Sequence, residues 1–552
     1  MPFPDPQTSA ASAPQAVPES TPRPTPANDP SVNPRLLVAV LAATGIVVSL
    51  AQTLVVPILG ELPVIFGTDV ATASWVITVT LLVGAVSTPV MGRLADLYGK
   101  KRMMLVAVIP FIVGSIVCAL ATDVVVMILG RGLQGLGTGM IPLGISLIHD
   151  VLSKEKAGSA IALMSSSMGI GGALGIPVAA AIAQFASWRV LFWATAAIAV
   201  ATAVAIALIV PALRPAARPV IADGPSAAGT ADGPLPASPV GKPAGFDVVG
   251  AIGLALGLTA LLLGISKGAE WGWGSVLTLG SLGVAVVVLV AWGAYEWRRP
   301  GPLVDLRTTL RPVVLLTNLA SVLFGFSMYA MNLIIPQVMQ LPVDLGYGLG
   351  QTMIQMGLWM APLGLGMMAV SGLGARISYH KGPKRTLTLA GVIIAAGYGA
   401  TALILATIGS RAPGPADGAT ILWTLVLLCA AGALVGCGIG FAYGAMPALI
   451  MGAVPATEKA SANGLNALMR SLGTTMSAAV IGALLGALSQ QVGGVPVPTQ
   501  TGFLVALLCG AGAALVAAGV AAMIPATGPA KRWAKGPANG PTNGPEPRQP
   551  SA

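Results

Sequence analysis

The sequence predicts an all-α polytopic membrane protein of fourteen spans, with two six-helix bundles and two helices inserted between them. Hydrophobic residues make up 55% of the 552 residues and charged residues only 9%, whereas soluble domains carry about 25% charged residues. Mean hydropathy is +0.84, and the uncharged apolar runs, of about 20 residues each, match the thickness of a bilayer core. These observations exclude a soluble enzyme and a disordered chain.

The apolar runs predict helices and not barrel strands, because they are long and continuously apolar. They cover residues 36–56, 73–91, 103–121, 124–148, 157–180, 188–210, 248–266, 275–297, 313–339, 352–374, 386–408, 420–449, 462–488 and 503–524.

Shifts in composition divide the chain into segments. The predicted order is a disordered cytoplasmic tail (1–34), an N-terminal six-helix bundle (35–210), a cytoplasmic linker (211–246), two additional transmembrane helices (247–297), a basic cytoplasmic loop (298–311), a C-terminal six-helix bundle (312–524) and a disordered cytoplasmic tail (525–552). The first tail lacks the apolar core of a signal peptide. The linker is rich in Pro, Ala and Gly, which predicts flexibility.

The basic residues predict the orientation of the chain. With the N-terminus in the cytoplasm, only Arg189, Lys267 and Arg411 of the 29 lysines and arginines face outward between spans. This pattern follows the positive-inside rule and places both termini in the cytoplasm of an inner (cell) membrane protein. The net charge of +10 is then explained by loops that face anionic lipid. We therefore expect a lipid bilayer around the chain, with no nucleic-acid partner and no protein partner.

Two pairs of similar sequence segments predict a duplicated architecture. Residues 93–102 (RLADLYGKKR) and 376–385 (RISYHKGPKR) lie 283 positions apart and share an arginine, a branched aliphatic residue, a glycine and a final Lys-Arg. Residues 155–157 and 458–460 both read Glu-Lys-Ala, before the fifth and thirteenth runs. Halves of this kind commonly rock about a central site near the membrane midplane.

Several motifs are similar to those of one transporter family. Residues 92–102 resemble the major facilitator superfamily signature between its second and third spans, and residues 129–135 (LGRGLQG) resemble its fourth-span motif Arg-x-x-Gln-Gly. The 6 + 2 + 6 arrangement, the loop 270–274 (EWGWG) and the stretch 302–306 (PLVDL) look like its fourteen-span drug:proton antiporter branch. The resemblance covers residues 35–524 and implies the major facilitator fold.

The resemblance implies a conformational latch between the halves. Its candidate residues are Gly92, Arg93, Asp96, Gly99, Lys100 and Arg102. An aspartate at a helix end can pair with an arginine or cap a helix N-terminus, and glycines permit close helix approach. A plain positive-inside anchor is the alternative. Tyr379 replaces the aspartate in the second copy, so that side should lack the same ion pair.

Two arginines lie inside predicted spans, where a charge costs roughly 2.5–3.5 kcal/mol and is usually functional. The resemblance gives Arg131, with Gln134 at i+3, a role in proton coupling or in holding the central cavity. The alternative is a structural arginine bonded to backbone carbonyls. Arg470 shares one helix face with Asn463 and Asn466, a polar stripe that predicts either cavity lining or inter-helix packing.

Gly171, Gly175 and Pro177 resemble the family's antiporter motif in the fifth span, which implies a helix bend. Pro177 is displaced by one position and Ala179-Ala180 replace the last glycines, so an ordinary packing face is the alternative.

A proton carrier is hard to find in the sequence. No acidic residue lies in the middle of a span, and Ala51 occupies the position where the branch has an acid in its first span. A buried carboxylate changes its protonation most readily near neutral pH. Elimination leaves Glu61 and Asp150 as candidates, while His149 is interpreted as a solvated loop histidine.

An adaptable substrate pocket is predicted, because flexible, polarizable and aromatic side chains share helix faces. Such side chains suit varied apolar ligands. Its candidate residues are Gln52, Phe324, Met328, Asn332, Gln355 and Trp359. Packing between helices is the alternative. Without a central carboxylate, neutral or zwitterionic amphiphiles are the favoured substrates.

The motifs together predict a secondary active transporter that exports amphipathic small molecules by alternating access in exchange for protons. We expect no cofactor and no enzyme activity, because the four cysteines lack metal-ligand spacing and no P-loop occurs. One rival is a dedicated metabolite exporter or facilitator without proton coupling. The other is a non-transporting membrane sensor or scaffold.

Overall fold

The computed structural model describes residues 33–58, 61–213, 245–408, 418–492 and 495–525. Its α-helices are α1 (Pro34–Thr53), α2 (Leu62–Phe66), α3 (Val70–Tyr98), α4 (Lys100–Leu120), α5 (Val124–Gly135), α6 (Met140–Val151), α7 (Lys154–Phe185), α8 (Arg189–Ile209), α9 (Val248–Trp271), α10 (Val276–Arg298), α11 (Leu306–Thr309), α12 (Pro312–Gln340), α13 (Met353–Ala369), α14 (Ser371–Lys381), α15 (Pro383–Ile408), α16 (Gly418–Ala453), α17 (Lys459–Ala487) and α18 (Gln500–Met523). Nearly all of the two predicted tails, most of the linker and Arg411 lie outside the described residues.

Thirteen helices among the described residues are long and apolar enough to cross a membrane. One of them joins α5 to α6 through a 3-10 turn, and another joins α13 to α14. Helix α7 contains the fifth predicted run and has 32 residues, but it is not one of the thirteen. The all-α membrane fold is therefore confirmed, and the count of fourteen spans stays a prediction.

The apolar runs did not predict one β-hairpin. Strands β1 (Ser489–Val492) and β2 (Val495–Pro498) pair antiparallel between α17 and α18, with Ser489 opposite Pro498. The hydroxyl of Tyr347 donates a 2.8 Å hydrogen bond to the carbonyl of Pro498. This bond ties the hairpin to the connection between α12 and α13.

Polar side chains at the ends of the apolar runs explain where several helices begin. The carboxylate of Asp69 accepts a 2.6 Å hydrogen bond from the amide of Thr72 at the start of α3. Asp123 does the same for the amide of Val125 in α5, at 2.9 Å. Because the first amides of a helix have no partner within it, such caps stabilise each start by about 1 kcal/mol.

The helices form two halves that meet along several pairs of helices, of which two have the most extensive contact. Buried residues of α12–α18 form one large apolar core, while those of α1–α8 form the greater part of two others. Between the halves, α3 packs against α17 and α7 packs against α13. In the second pair, a Cβ placed on Gly357 of α13 would lie 2.9 Å from Cβ of Pro177 in α7.

Helices α9 and α10 form a separate pair beside this interface. Helix α9 packs against α10, α3 and α17, and leucines such as Leu258 share a buried cluster with Leu468 of α17. Most of the apolar side chains of α10 are exposed, including Val276 and Val287. The inserted pair thus packs against both halves mainly through α9 and presents most of α10 outward.

The repeated loops adopt the same backbone conformation. Gly99 ends α3 and precedes α4 with φ 98° and ψ 137°, and Gly382 ends α14 with φ 87° and ψ 147° before α15. A positive φ is costly for residues that carry a Cβ. The shared glycine of the two copies is therefore explained by the turn itself.

Candidate functional site

Asp96 joins the two halves at the end of the bundle that carries residues 92–102, here called the latch end. It lies in the last turn of α3, and its carboxylate oxygens accept hydrogen bonds from two amides of α17, Ala460 at 3.1 Å and Ser461 at 2.8 Å. These amides belong to the first turn of α17, where the helix dipole favours a negative charge. A side chain of one half thus caps a helix of the other.

Gly92 brings α3 against the same turn of α17. A Cβ on Gly92 would lie 2.6 Å from the carbonyl oxygen of Ala460 and 2.9 Å from Cα of Ser461. Both atoms belong to the backbone and cannot move aside cheaply. Any larger residue at position 92 would push α17 away from Asp96.

Asp150, a predicted proton candidate, forms a second bridge at the latch end. It pairs with Lys100 of the same half and lies 3.6 Å from Nζ of Lys459 at the start of α17. Nζ of Lys459 is also 3.2 Å from Nδ1 of His149. His149 therefore lies within the contact between the halves, contrary to the prediction of a solvated loop residue.

The other latch candidates are spread around this contact. Arg93 is buried, and Nζ of Lys100 also donates to the carbonyl of Ser146 at 3.3 Å. Arg102 is exposed at the surface of α4. Gly99 supplies the turn between α3 and α4, as described above.

Arg131 is 1% exposed and is bonded wholly within the N-terminal half. Its Nε donates to the carbonyl of Val76 at 3.2 Å, and its Nη1 donates to the carbonyl of Ala51 at 2.8 Å and to Oε1 of Gln134 at 2.6 Å. Gln134 in turn donates to Ser115 at 2.8 Å. This geometry matches the structural alternative, and the coupling role stays a prediction.

Arg470 has a corresponding network within the C-terminal half. Its Nη1 donates to Oδ1 of Asn466 at 3.1 Å, and its guanidinium carbon lies 5.0 Å from the ring centroid of Tyr443. Asn466 donates to Asn318 at 3.0 Å and to Ser321 at 2.7 Å. Tyr443, Asn318 and Ser321 were missed in the sequence, although the i, i+3 polar pair in an apolar run could have indicated the last two.

The third residue of the predicted polar stripe faces elsewhere. Asn463 donates a 2.9 Å hydrogen bond to the carbonyl of Pro142 in α6. The stripe on α17 is therefore divided between the contact of the halves at Asn463 and the interior of the C-terminal half at Asn466.

The predicted bend motif forms a close helix contact. A Cβ on Gly171 would lie 2.6 Å from Cβ of Ser49 in α1, and one on Gly175 would overlap Oγ1 of Thr53. Helix α7 continues without interruption through Pro177. The two glycines thus set the packing of α7 on α1, while Pro177 contacts Gly357 of the other half.

The predicted pocket residues fall into separate places. Gln355 and Trp359 line a cavity of about 640 Å³ between α13 and α16. Phe324 is fully buried in the C-terminal core, where apolar side chains surround it. Met328 accepts a 3.0 Å hydrogen bond from Tyr443, beside Arg470. Gln52 on α1 and Asn332 on α12 are half-buried.

The structure also separates the acidic candidates and reveals three buried charges that were overlooked. Glu61 is exposed at the start of α2. Asp247 and Glu296, at the ends of α9 and α10, are each 2% exposed. Lys267, which the sequence placed in an outer loop, lies inside α9 and is also 2% exposed, because α9 continues to Trp271.

The folded chain is thus a polytopic membrane protein with two helical halves in contact, an arrangement common among transporters, whose halves rock about a central site. It belongs to the Major Facilitator Superfamily, whose family model matches residues 41–478.

Relatives include the probable actinorhodin transporter of Streptomyces coelicolor, 28% identical over 76% of this chain and 66% of that protein. Multidrug resistance protein 3 of Bacillus subtilis is 23% identical over 74% of this chain and 72% of its own length. An uncharacterized MFS-type transporter of Mycobacterium tuberculosis is 27% identical over 64% of this chain, and the match spans 47% of the relative.

A solved structure, that of the human organic anion transporter MFSD10 (TETRAN), superposes with a TM-score of 0.56. The match covers 88% of this chain and 99% of the human one, at 14% identity. At this identity the likeness concerns the fold alone.

Proposed function

We propose that the protein exports amphipathic small molecules by alternating access, in exchange for protons. The observation that carries the proposal is the cap that Asp96 places on α17 across the two halves. Two hydrogen bonds to a charged group, at a partly buried helix end, hold the latch end closed and can be broken as one unit. Opening of this end and closing of the other would then expose a central site to each side in turn.

The cavity between α13 and α16 supports an amphipathic substrate. Its lining combines apolar side chains such as Leu358 and Leu422, which are largely exposed, with the polar groups of Gln351 and Gln355 and the ring of Trp359. A cavity that opens at the side of the bundle suits compounds that partition into the bilayer. The names of the multidrug and actinorhodin relatives support the same substrate class.

The Lys459–Asp150–Lys100 bridge lies at the contact between the halves. A change of charge there can alter how easily the latch end opens, which supports coupling of transport to protons. For a neutral or zwitterionic substrate, one elementary charge that moves across about 100 mV supplies about 2.3 kcal/mol, which sustains roughly fiftyfold accumulation. Exchange of one proton for the cation ethidium moves no net charge, so the pH difference alone drives it. The test is ethidium accumulation in inverted membrane vesicles that contain the full chain, with vesicles from cells lacking the protein as background. We expect an uncoupler to abolish accumulation. Equal accumulation with and without the uncoupler contradicts proton exchange.

A second candidate is a dedicated metabolite exporter without proton coupling. Within the described residues, the side chains of Arg131 and Arg470 bind carbonyls, amides and an aromatic ring, and neither forms an ion pair with a carboxylate. Uncoupler-insensitive export of one compound, with ethidium not transported, would favour this candidate.

A further inference from the structure

Asp247 and Glu296 form a buried carboxyl pair at the latch end of the inserted helices. Asp247 caps α9, and its Oδ1 accepts hydrogen bonds from the amide of Gly250 at 3.0 Å and the hydroxyl of Tyr295 at 3.1 Å. Glu296 lies in the last turn of α10, and its Oε2 accepts a 3.0 Å hydrogen bond from the amide of Leu303. One oxygen of each carboxyl group is therefore held in place.

The remaining two oxygens point into the same space. A Cβ placed on Gly250 would lie 2.7 Å from Oδ2 of Asp247 and would also contact Oε1 of Glu296. Neither oxygen accepts a hydrogen bond from the described residues, although Oδ2 of Asp247 lies 3.1 Å from Nε of Arg299. Two negative charges at one buried place repel each other, and a proton on one of the two carboxyl groups removes that repulsion.

The pair has a route to water. Glu296 lines a polar cavity of about 390 Å³ whose other walls are the connection between α10 and α11, including Arg298 and Asp305. The neighbouring Arg299 is 43% exposed at its side chain. A proton can therefore reach Glu296 from the latch end without crossing the apolar core.

The pair is also linked to the latch by charge. Arg93 of α3, three residues before Asp96, attracts the carboxylate of Glu296. The other charged and titratable groups that act on the pair are Arg299 and Tyr295. Residues three apart lie on the same side of a helix, so a change in the charge of Glu296 acts on the turn of α3 that caps α17.

We propose that Asp247 and Glu296 form a proton-binding site at the latch end, and that binding of a proton there loosens the hold of the inserted pair on Arg93 and so eases opening of the latch. The proposal rests on the proposed alternating access. It adds a response to the pH on the latch side, placed in the inserted helix pair, which a transporter of twelve spans would lack.

The first test observes the proton directly. Infrared pH-difference spectra of the purified full-length protein in lipid nanodiscs should contain a protonated-carboxyl band that is lost in both Glu296→Gln and Asp247→Asn. The matched control is Asp344→Asn, which removes an exposed acid at the opposite end of the bundle and should keep the band. Tyr295→Phe keeps both carboxyl groups and should shift the pH at which the band appears. A band unchanged in both pair variants overturns the proposal.

The second test separates this site from the proposed function. We expect exchange of ethidium across inverted vesicles without a gradient to quicken as the pH of the bath at the latch end falls through the range in which the carboxyl band appears, and Glu296→Gln to lose this pH dependence while exchange itself continues. If the wild-type protein exchanges no ethidium at any pH, the proposed function itself fails, and the role of the pair fails with it. If wild type and Glu296→Gln respond equally to pH, only the role of the pair is wrong.

Discussion

The two halves carry the same turn and use it differently. In the first copy Asp96 caps α17. In the second copy the corresponding residue is Tyr379, which is 61% exposed and lies edge-on to His380 with ring centroids 5.2 Å apart. Because Gly99 and Gly382 give both turns one backbone conformation, the difference lies in the side chains alone. A duplicated fold can therefore hold its two interfaces with different strengths.

The helices that face the two turns differ in the same way. Gly92 allows α3 to approach the backbone of α17 closely, whereas in the second copy Ala375 lies 3.7 Å from where a Cβ on Gly158 of α7 would be. That distance is ordinary van der Waals contact. The first interface depends on a charge and a close approach, and the second depends on packing.

The largest expected effect comes from the buried arginines. Arg131→Ala removes the hydrogen bonds that Arg131 donates to the carbonyls of Ala51 and Val76 and to Oε1 of Gln134. The carbonyl of Val76 keeps a bond from the hydroxyl of Thr80, while each buried acceptor left without a donor costs about 1–3 kcal/mol. We expect lost ethidium export with retained membrane insertion, measured by vesicle transport and by protein content of the membrane fraction. Arg131→Lys should not restore export, because an ammonium cannot reproduce the guanidinium fork.

Arg470→Ala is the matched change in the other half. Since Arg470 donates to Asn466 and lies over Tyr443, its loss should lower the melting temperature less than Arg131→Ala does. Export by Arg131→Ala at the wild-type rate would reduce Arg131 to a packing residue.

The next effect separates the two turns. Gly92→Val should push α17 away from α3 and cost about 1–3 kcal/mol as an overpacked contact, which lowers the population of the closed latch by roughly fivefold to a hundredfold. The measurement is disulfide cross-linking between cysteines placed on α3 and α17. Ala375→Val, its counterpart, should change cross-linking between α14 and α7 less than threefold. Equal effects at the two positions would contradict the asymmetry.

Asp96→Asn tests the charge of the latch. The amide can still accept one of the two hydrogen bonds, but the charge at the start of α17 is lost, at about 1 kcal/mol. We expect about fivefold slower ethidium export and a more protease-sensitive α16–α17 connection. Tyr379→Phe removes only an exposed hydroxyl and should leave both measurements unchanged.

The smallest effect is expected at Lys459. Its pair with Asp150 is partly exposed, and such pairs contribute about 0–1 kcal/mol and weaken with salt. Lys459→Ala should therefore slow export less than threefold, with a difference from wild type that shrinks as salt rises. A difference that does not depend on salt would show that Lys459 acts through packing instead.

Apolar run length was sufficient to predict most of the helices. The predicted run 103–121 lies close to α4 (Lys100–Leu120), and 188–210 lies close to α8 (Arg189–Ile209). The close approach at Gly92 also followed from residue type. These features are local, because each depends on neighbours along the chain.

Burial of charges at the ends of runs could not be predicted in this way. Asp247, Lys267 and Glu296 lie where a run meets a loop, and only the packing of α9 and α10 decides that they are enclosed. Lys267 was assigned to a loop because hydropathy falls before the helix ends. Tyr443 looked like any aromatic in an apolar run, and its position beside Arg470 depends on how α16 meets α17.

The attachment of α9 is uneven, and this has a mechanical consequence. Nζ of Lys267 donates to Ser74 of α3 at 2.5 Å and lies 5.0 Å from the ring of Trp75, while Leu258 and Leu262 share an apolar cluster with Leu468 of α17. Directional polar bonds fix the position of α9 along α3, whereas apolar contacts between α9 and α17 permit sliding. The inserted helices should therefore move together with the first half, while the second half slides along them.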